Sequence, residues 1–165
     1  MGLEDDLSWA VRELYGRVYR FAYRFVGNRE TAQDIVQESF LRLAAVAPGL
    51  DADGTRRWLF VAARNLCISH LRRDLARAEP SLDAIQPADP ESVSVRKELG
   101  DSIRGAVAQL PPDQREVVLL REYEDMSYAE ISAVLGCAEG TVKSRLARAR
   151  EHLRVLLGPI REDWK

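Results

Sequence analysis

The stretch SYAEISAVLGCAEGTVKSRLARAR, Ser127 to Arg150, decides how the rest of the chain is read. Ser127 stands three residues before Glu130, the spacing of a capping box, in which hydroxyl and carboxylate each satisfy one free amide at a helix start. Gly136 ends this short helix, and Cys137 and Ala138 make the turn. From Glu139 onward Val142, Leu146, Ala149, Leu153 and Leu156 recur every three or four residues, the inward stripe of a second helix. Its other sides carry Lys143, Ser144, Arg145, Ala147, Arg148 and Arg150. A short helix, a tight turn and a basic second helix make the pattern of a helix-turn-helix, whose second helix enters the DNA major groove. Arginine forks suit guanine edges, lysine and the remaining arginines suit phosphates, and the small Ser144 and Ala147 allow close approach to base edges. A solvated amphipathic helix is the plainer alternative. Five basic residues between Lys143 and Arg154 face only Glu139 and Glu151, which favours DNA.

The totals constrain this reading. The chain has 165 residues, a formal net charge of −2 and a pI near 5.8, so any nucleic-acid surface is local. Cys67 and Cys137 lie far apart without CxxC spacing, and His70 and His152 form no ligand cluster with them. No metal, cofactor or disulfide framework is expected, and a reducing compartment fits. The start, MGLEDDLSW, lacks the apolar core of a signal peptide, and no apolar run is long enough to span a bilayer. A soluble, cytoplasmic protein without membrane attachment or small-molecule substrate is expected.

Nearly every segment has helical period, so the fold class is all-α. Leu7, Val11, Leu14, Val18, Ala22 and Phe25 form one stripe; Gly27 ends that helix and Asn28 caps the next, over about 29–47. Pro48-Gly49 stops it, a loop LDADG follows, and Thr55 is expected to cap a third helix reaching about Ala78. Residues 79–95, EPSLDAIQPADPESVSV, have the Pro-, Ser- and acid-rich composition of a linker. They separate an N-terminal unit, 1–78, from a C-terminal one, 96–165; the alternative is a structured loop within one domain. Beyond them Leu99, Ile103, Ala106, Val107 and Leu110 make a stripe, and Pro111-Pro112 opens a helix DQREVVLLREYE.

Two features of the first half exceed what a duplex-binding protein needs. In DIVQESF, Val36 and Phe40, with Leu43 beyond it, point inward, while Asp34, Gln37, Glu38 and Leu41 share the opposite face and present acid, amide and one exposed leucine. Composition alone reads this as an ordinary solvated face or as a dock for a basic helix. The segment Arg56–Arg77 carries Arg56, Arg57, Arg64, Arg72, Arg73 and Arg77 against the single acid Asp74, with Trp58 and Phe60 near its start. Basic groups beside aromatics serve single-stranded or opened nucleic acid, although Trp58 on its own reads more simply as core.

Taken together, DIVQESF, then WLFVAARNLCISHLRR, a Pro-containing linker and LPPDQREVVLLREYEDMSYAEISAVLGCAEGTVKSRLARAR resemble a bacterial extracytoplasmic-function (ECF) sigma factor, in that family's minimal two-domain form, over about Leu14 to Leu156. The resemblance implies core RNA polymerase as partner, through the β′ clamp helices and the β flap, with Asp34, Gln37, Glu38, Phe40 and Leu41 on the clamp. It implies that the loop Gly49–Gly54, with Asp51 and Asp53, captures a base flipped from the minus-ten element. Arg56, Arg57, Trp58, Arg64, Asn65, Arg72 and Arg73 then read and melt that element; flipping costs a few kcal/mol of stacking, which a pocket and a basic track offset. It further implies that Arg115, Ser127, Thr141, Lys143, Ser144, Arg145, Ala147, Arg148 and Arg150 read the minus-thirty-five element as duplex. An anti-sigma factor is the expected regulator. Ser69 and Ala138 depart from the family's usual acidic residue and hydroxyl or proline at these places. The rival reading is a dimeric helix-turn-helix regulator, which has no use for DIVQESF or the Arg56–Arg77 helix. An enzyme is not expected, since no metal cluster, nucleophile elbow or phosphate loop appears.

Overall fold

The computed structural model describes residues 3–46, 49–77 and 95–158. Among them there is no strand. Seven α-helices run in chain order: α1 Leu3–Val26, α2 Arg29–Val46, α3 Ala52–Arg77, α4 Val95–Gln109, α5 Pro112–Val118, α6 Tyr128–Leu135 and α7 Glu139–Leu156. A π-helical turn, Leu119–Tyr123, continues α5. The expected linker lies outside the described residues except for Val95, which opens α4.

Helices α1, α2 and α3 pack on one another as a three-helix bundle. Leu14, Val18, Ala22 and Phe25 are buried as the stripe requires, but Val11 is 46% exposed and Ala10 takes its place inward, because the period of 3.6 drifts along a long helix. Phe21 meets Phe60 of α3 edge-on at 5.5 Å and Phe25 at 5.8 Å, a geometry that suits the ring quadrupoles and pins α1 to α3. Gly27, at φ 74°, closes α1, and the side chain of Asn28 accepts from the Thr31 amide at 2.9 Å to start α2.

The start of α3 differs from expectation. Thr55 is buried inside the helix, and the cap is Asp51, whose carboxylate accepts from the Gly54 amide at 2.7 Å. Gly54 permits this: a Cβ there would stand 2.9 Å from the Asp51 carboxylate and 3.5 Å from Leu50. The second half of the expected loop Gly49–Gly54, from Ala52, is therefore the first turn of α3.

Helices α4 to α7 form the second bundle. Ala106, Val107 and Leu110 are buried, as are Val142, Leu146 and Ala149 of α7, whereas Leu156 is exposed where α7 runs past its neighbours. The helix expected over DQREVVLLREYE loosens into the π turn, and the Met126 amide then reaches back to the Leu120 carbonyl at 3.1 Å. The two bundles touch: α3 packs on α6, and α1 on α4, α5 and the π turn.

Candidate polymerase- and nucleic-acid-binding surfaces

On α2, Val36, Phe40 and Leu43 are buried and Phe40 stacks at a tilt on Tyr15, 5.4 Å between centroids. The opposite face presents exposed Asp34 and Gln37 together with Leu41, 69% exposed. Glu38 shares it and accepts from Arg42 at 2.7 Å. Phe40, grouped with this face by resemblance, supports it from beneath and does not reach the surface. An exposed leucine ringed by acid and amide is an apolar anchor with a polar rim.

Along α3, Arg57, Asn65, Arg72 and Arg73 are exposed, and Asp51 and Asp53 flank the helix start. Trp58 is half-buried against the core, which favours its packing role. His70 pairs with Asp74 at 3.0 Å one turn on. Arg56 and Arg64, on the same helix, turn toward the second bundle. Arg64 donates to both carboxylate oxygens of Glu116, at 2.7 and 3.3 Å. Arg56 donates to the Glu124 carbonyl at 2.8 Å and lies 3.5 Å from the Glu130 carboxylate. A cleft of about 340 Å³ between α3 and α6 is lined by Asp53, Arg56, Arg57, Ala129, Glu130 and Val134.

The helix-turn-helix is built as its sequence predicts. Ser127 accepts from the Glu130 amide at 3.1 Å and Glu130 accepts from the Ser127 amide at 2.7 Å, so the Ser127 hydroxyl is engaged in the cap. That amide holds the Glu130 carboxyl below the usual carboxylate range. Gly136 at φ 65° turns the chain left-handed, and the Ser132 hydroxyl donates to the Cys137 carbonyl, bracing the turn. Ala138 offers no side-chain cap to α7. Lys143, Ser144, Ala147 and Arg148 form the exposed face of α7, with Thr141 half-buried at its start. Arg150 is also exposed but pairs with Glu122 at 3.3 Å.

Two residues expected on the DNA face are engaged elsewhere. Arg145 turns inward and donates to Glu116 at 3.1 Å. Arg115 donates to the carbonyls of Ala108 and Leu110 and, across the bundles, to that of Phe25. Sequence reasoning missed the acceptor at the centre of this, Glu116, only 1% exposed. Its signal was an acid set directly against Val117-Val118-Leu119-Leu120, where a carboxylate needs partners to be buried. Glu124, also buried, was missed likewise; burial raises its carboxyl pKa, while Arg17, at 2.7 Å, and Arg56 pull it back.

Cys67 is buried and Cys137 half-buried against the core, as small core residues. Among the described residues no cluster of metal-ligating side chains occurs, and no helix is long and apolar enough to cross a membrane. His152 hydrogen-bonds the buried Gln114 at 2.6 Å, a structural contact.

Comparison with known proteins identifies the two bundles that carry these surfaces. Residues 10–77 match sigma-70 region 2 and residues 100–153 match sigma-70 region 4. The ECF RNA polymerase sigma factor SigE of Mycolicibacterium smegmatis is 36% identical over 158 residues, covering 89% of this chain and 60% of its own length. EcfG of Rhodopseudomonas palustris is 36% identical over 159 residues, covering 94% of this chain and 84% of its own. The sigma factor RpoE of Bartonella quintana, solved in complex with the anti-sigma factor NepR, superposes with a TM-score of 0.74 at 28% identity, over 93% of this chain and 97% of that one. CnrH in complex with the cytosolic domain of CnrY gives 0.68 at 27% identity, over 93% and 88%. With region 2 on α1–α3, region 4 on α4–α7 and relatives of this kind across nearly its whole length, the chain belongs to the extracytoplasmic-function sigma factors.

Proposed function

We infer that this chain is an alternative transcription initiation factor. It binds core RNA polymerase and directs it to promoters with particular minus-ten and minus-thirty-five elements. It acts as a specificity subunit and not as an enzyme, in the cytoplasm where polymerase and chromosome meet. One observation carries the reading: a single chain joins a region 2 bundle bearing the exposed α2 face and basic α3 to a region 4 helix-turn-helix. A regulator binding duplex DNA alone accounts for the second half only.

The division proposed is 1–78, a linker over 79–95 and 96–165. Asp34, Gln37, Glu38 and Leu41 are proposed to dock on the β′ clamp helices, with Leu41 as anchor and Phe40 as support. Asp51, Asp53, Arg57, Asn65, Arg72 and Arg73 are proposed to take the opened minus-ten strand, and Arg56, Trp58 and Arg64 stand on the same helix. Thr141, Lys143, Ser144, Ala147, Arg148 and Arg150 are proposed for the duplex. Ser127, Arg115 and Arg145 stay in that set as residues that position α6 and α7. An apolar groove of about 450 Å³, lined by Leu99, Ile103, Val107, Val118, Tyr123 and Leu153, gives region 4 a surface for the polymerase β flap. Control by an anti-sigma factor is supported by the likeness to RpoE, solved in complex with the anti-sigma factor NepR.

The test is run-off transcription with core polymerase from the source bacterium, on the gene's own upstream region and on a library of genomic fragments. A discrete transcript that needs the protein, and falls at least tenfold with Asn65→Ala or Arg148→Ala, is expected; tenfold corresponds to about 1.4 kcal/mol. Failure to bind core polymerase at low salt would overturn the reading.

A further inference from the structure

The second bundle leaves one apolar surface open, the groove of about 450 Å³ between α4, the π turn and the end of α7. Leu99 and Ile103 of α4 line it and are only half-buried, and Tyr123 is 37% exposed. Leu153 of α7 and Leu157, the residue that caps α7, line it from the other side. Arg150 and Arg154 of α7 and Glu122 of the π turn add charge at its edge. A contiguous apolar surface with a charged edge marks a place that something covers.

The chain carries a segment suited to this place. Residues 159–165, PIREDWK, follow Gly158 and lie outside the described residues. Leu157 lines the groove, so the segment starts at its lip. Gly158-Pro159 is a turn dipeptide, at the point where the chain has to reverse to run back along α7. Helix α7 rises about 10 Å between Arg150 and Leu157, and seven extended residues reach about 23–25 Å, so the segment is long enough to cover the groove after turning. Ile160 and Trp164 are its large apolar residues, and Glu162 and Asp163 stand between them. The acids complement Arg154. That arginine pairs with Glu151 at 2.9 Å, but both side chains are exposed, and exposed pairs contribute little, so a second carboxylate can share it.

We propose that residues 159–165 fold back over this groove of their own bundle, with Ile160 against Leu157, the Trp164 ring against Leu99, Ile103 and Leu153, and Glu162 and Asp163 beside Arg154. An indole buries about 150–250 Å² and its N–H seeks an acceptor, which the carboxylate of Glu122 supplies from the groove edge. The short tether holds the segment at an effective concentration on the order of millimolar, so even a modest intrinsic affinity fills the site. The groove is also the surface proposed for the polymerase β flap, so the tail and the flap compete for it. That competition rests on the proposed function; the docking of the tail does not.

The experiment uses the full chain made with 5-fluorotryptophan, whose three fluorine resonances arise from Trp9, Trp58 and Trp164, with Trp164→Phe assigning the third. The Trp164 resonance is expected to lie away from that of the free amino acid and to show a small solvent isotope shift. Leu99→Gln should return it to the free position with the full isotope shift, and Arg154→Glu, a change at the surface, should move it part of the way. The Trp9 and Trp58 resonances and the circular dichroism of both variants should stay unchanged, which separates undocking from unfolding. A Trp164 resonance at the free position in the unaltered protein would overturn the proposal. So would a displaced resonance that neither variant moves, or one that shifts with protein concentration, which would place the tail on a second copy. Trp164→Ala should then strengthen binding to core polymerase severalfold. Docking without that gain would leave the tail in its groove and refute the groove as the flap surface.

Discussion

At the scale of single residues, environment decides role. Cys67 shows no exposure, and burial pushes its thiol well above the ordinary range, against a small opposing pull from Arg115. The thiolate is the nucleophile, so this position is inert in the folded state. Alkylation by iodoacetamide followed by mass spectrometry should leave Cys67 unmodified in native buffer and modify it fully in guanidinium. Rapid native labelling would mean that α3 opens far more readily than its packing implies. Arg145 teaches the complementary lesson. Its place in KSRLARAR suggests DNA, yet Glu116 holds its guanidinium inward, because a buried carboxylate outcompetes solvent for the nearest cation.

At the scale of elements, caps and stripes fix where helices begin and which way they face. The Ser127–Glu130 box starts α6, and Ser127→Ala should cost about 1 kcal/mol in urea or thermal unfolding. Glu130 has its folded pKa depressed, by the Ser127 amide first and by Arg56 as well. A depressed carboxylate adds stability above its unfolded value, about 4.3, and that stability is lost as pH falls through the lower folded value. Glu130→Gln keeps the hydrogen bonds of the box without the charge. Its stability should be flatter with pH than that of the unaltered protein between pH 5 and pH 2, to be read from denaturation midpoints; equal slopes would remove Glu130 from the acid response. These local devices explain what was legible. Asn28, Ser127, Gly136 and the stripes of α2, α4 and α7 depend on neighbours within four residues, and they stand where the pattern placed them apart from Leu156, which is exposed. The start of α3 was not legible, since Asp51 and Thr55 are both good caps and the choice fell to the space that Gly54 opens. The π turn likewise follows from tertiary packing, and pairs such as Arg64–Glu116, 52 residues apart, need the register of whole helices.

At the scale of the whole molecule, charge is segregated and not abundant. A chain of net charge −2 gathers runs of basic residues on α3 and α7, the helices proposed for promoter DNA, so promoter affinity should fall steeply with salt. In a complex with polymerase and promoter duplex, Lys143→Ala should lower the slope of log affinity against log salt by about one and weaken all sequences alike, whereas Arg148→Ala should blunt discrimination between them. Filter binding at several salt concentrations separates the two. The contact between the bundles has one more consequence, which concerns time. The helices of each bundle meet near neighbours in sequence, but Arg17 must wait for Glu124, 107 residues later. At ribosomal speeds that wait is about 5–20 s. The first bundle is complete only at Arg77, so for the last 47 residues of that wait, about 2–9 s, it stands with its cationic helix bare among ribosomal RNA, before Glu124 has been made.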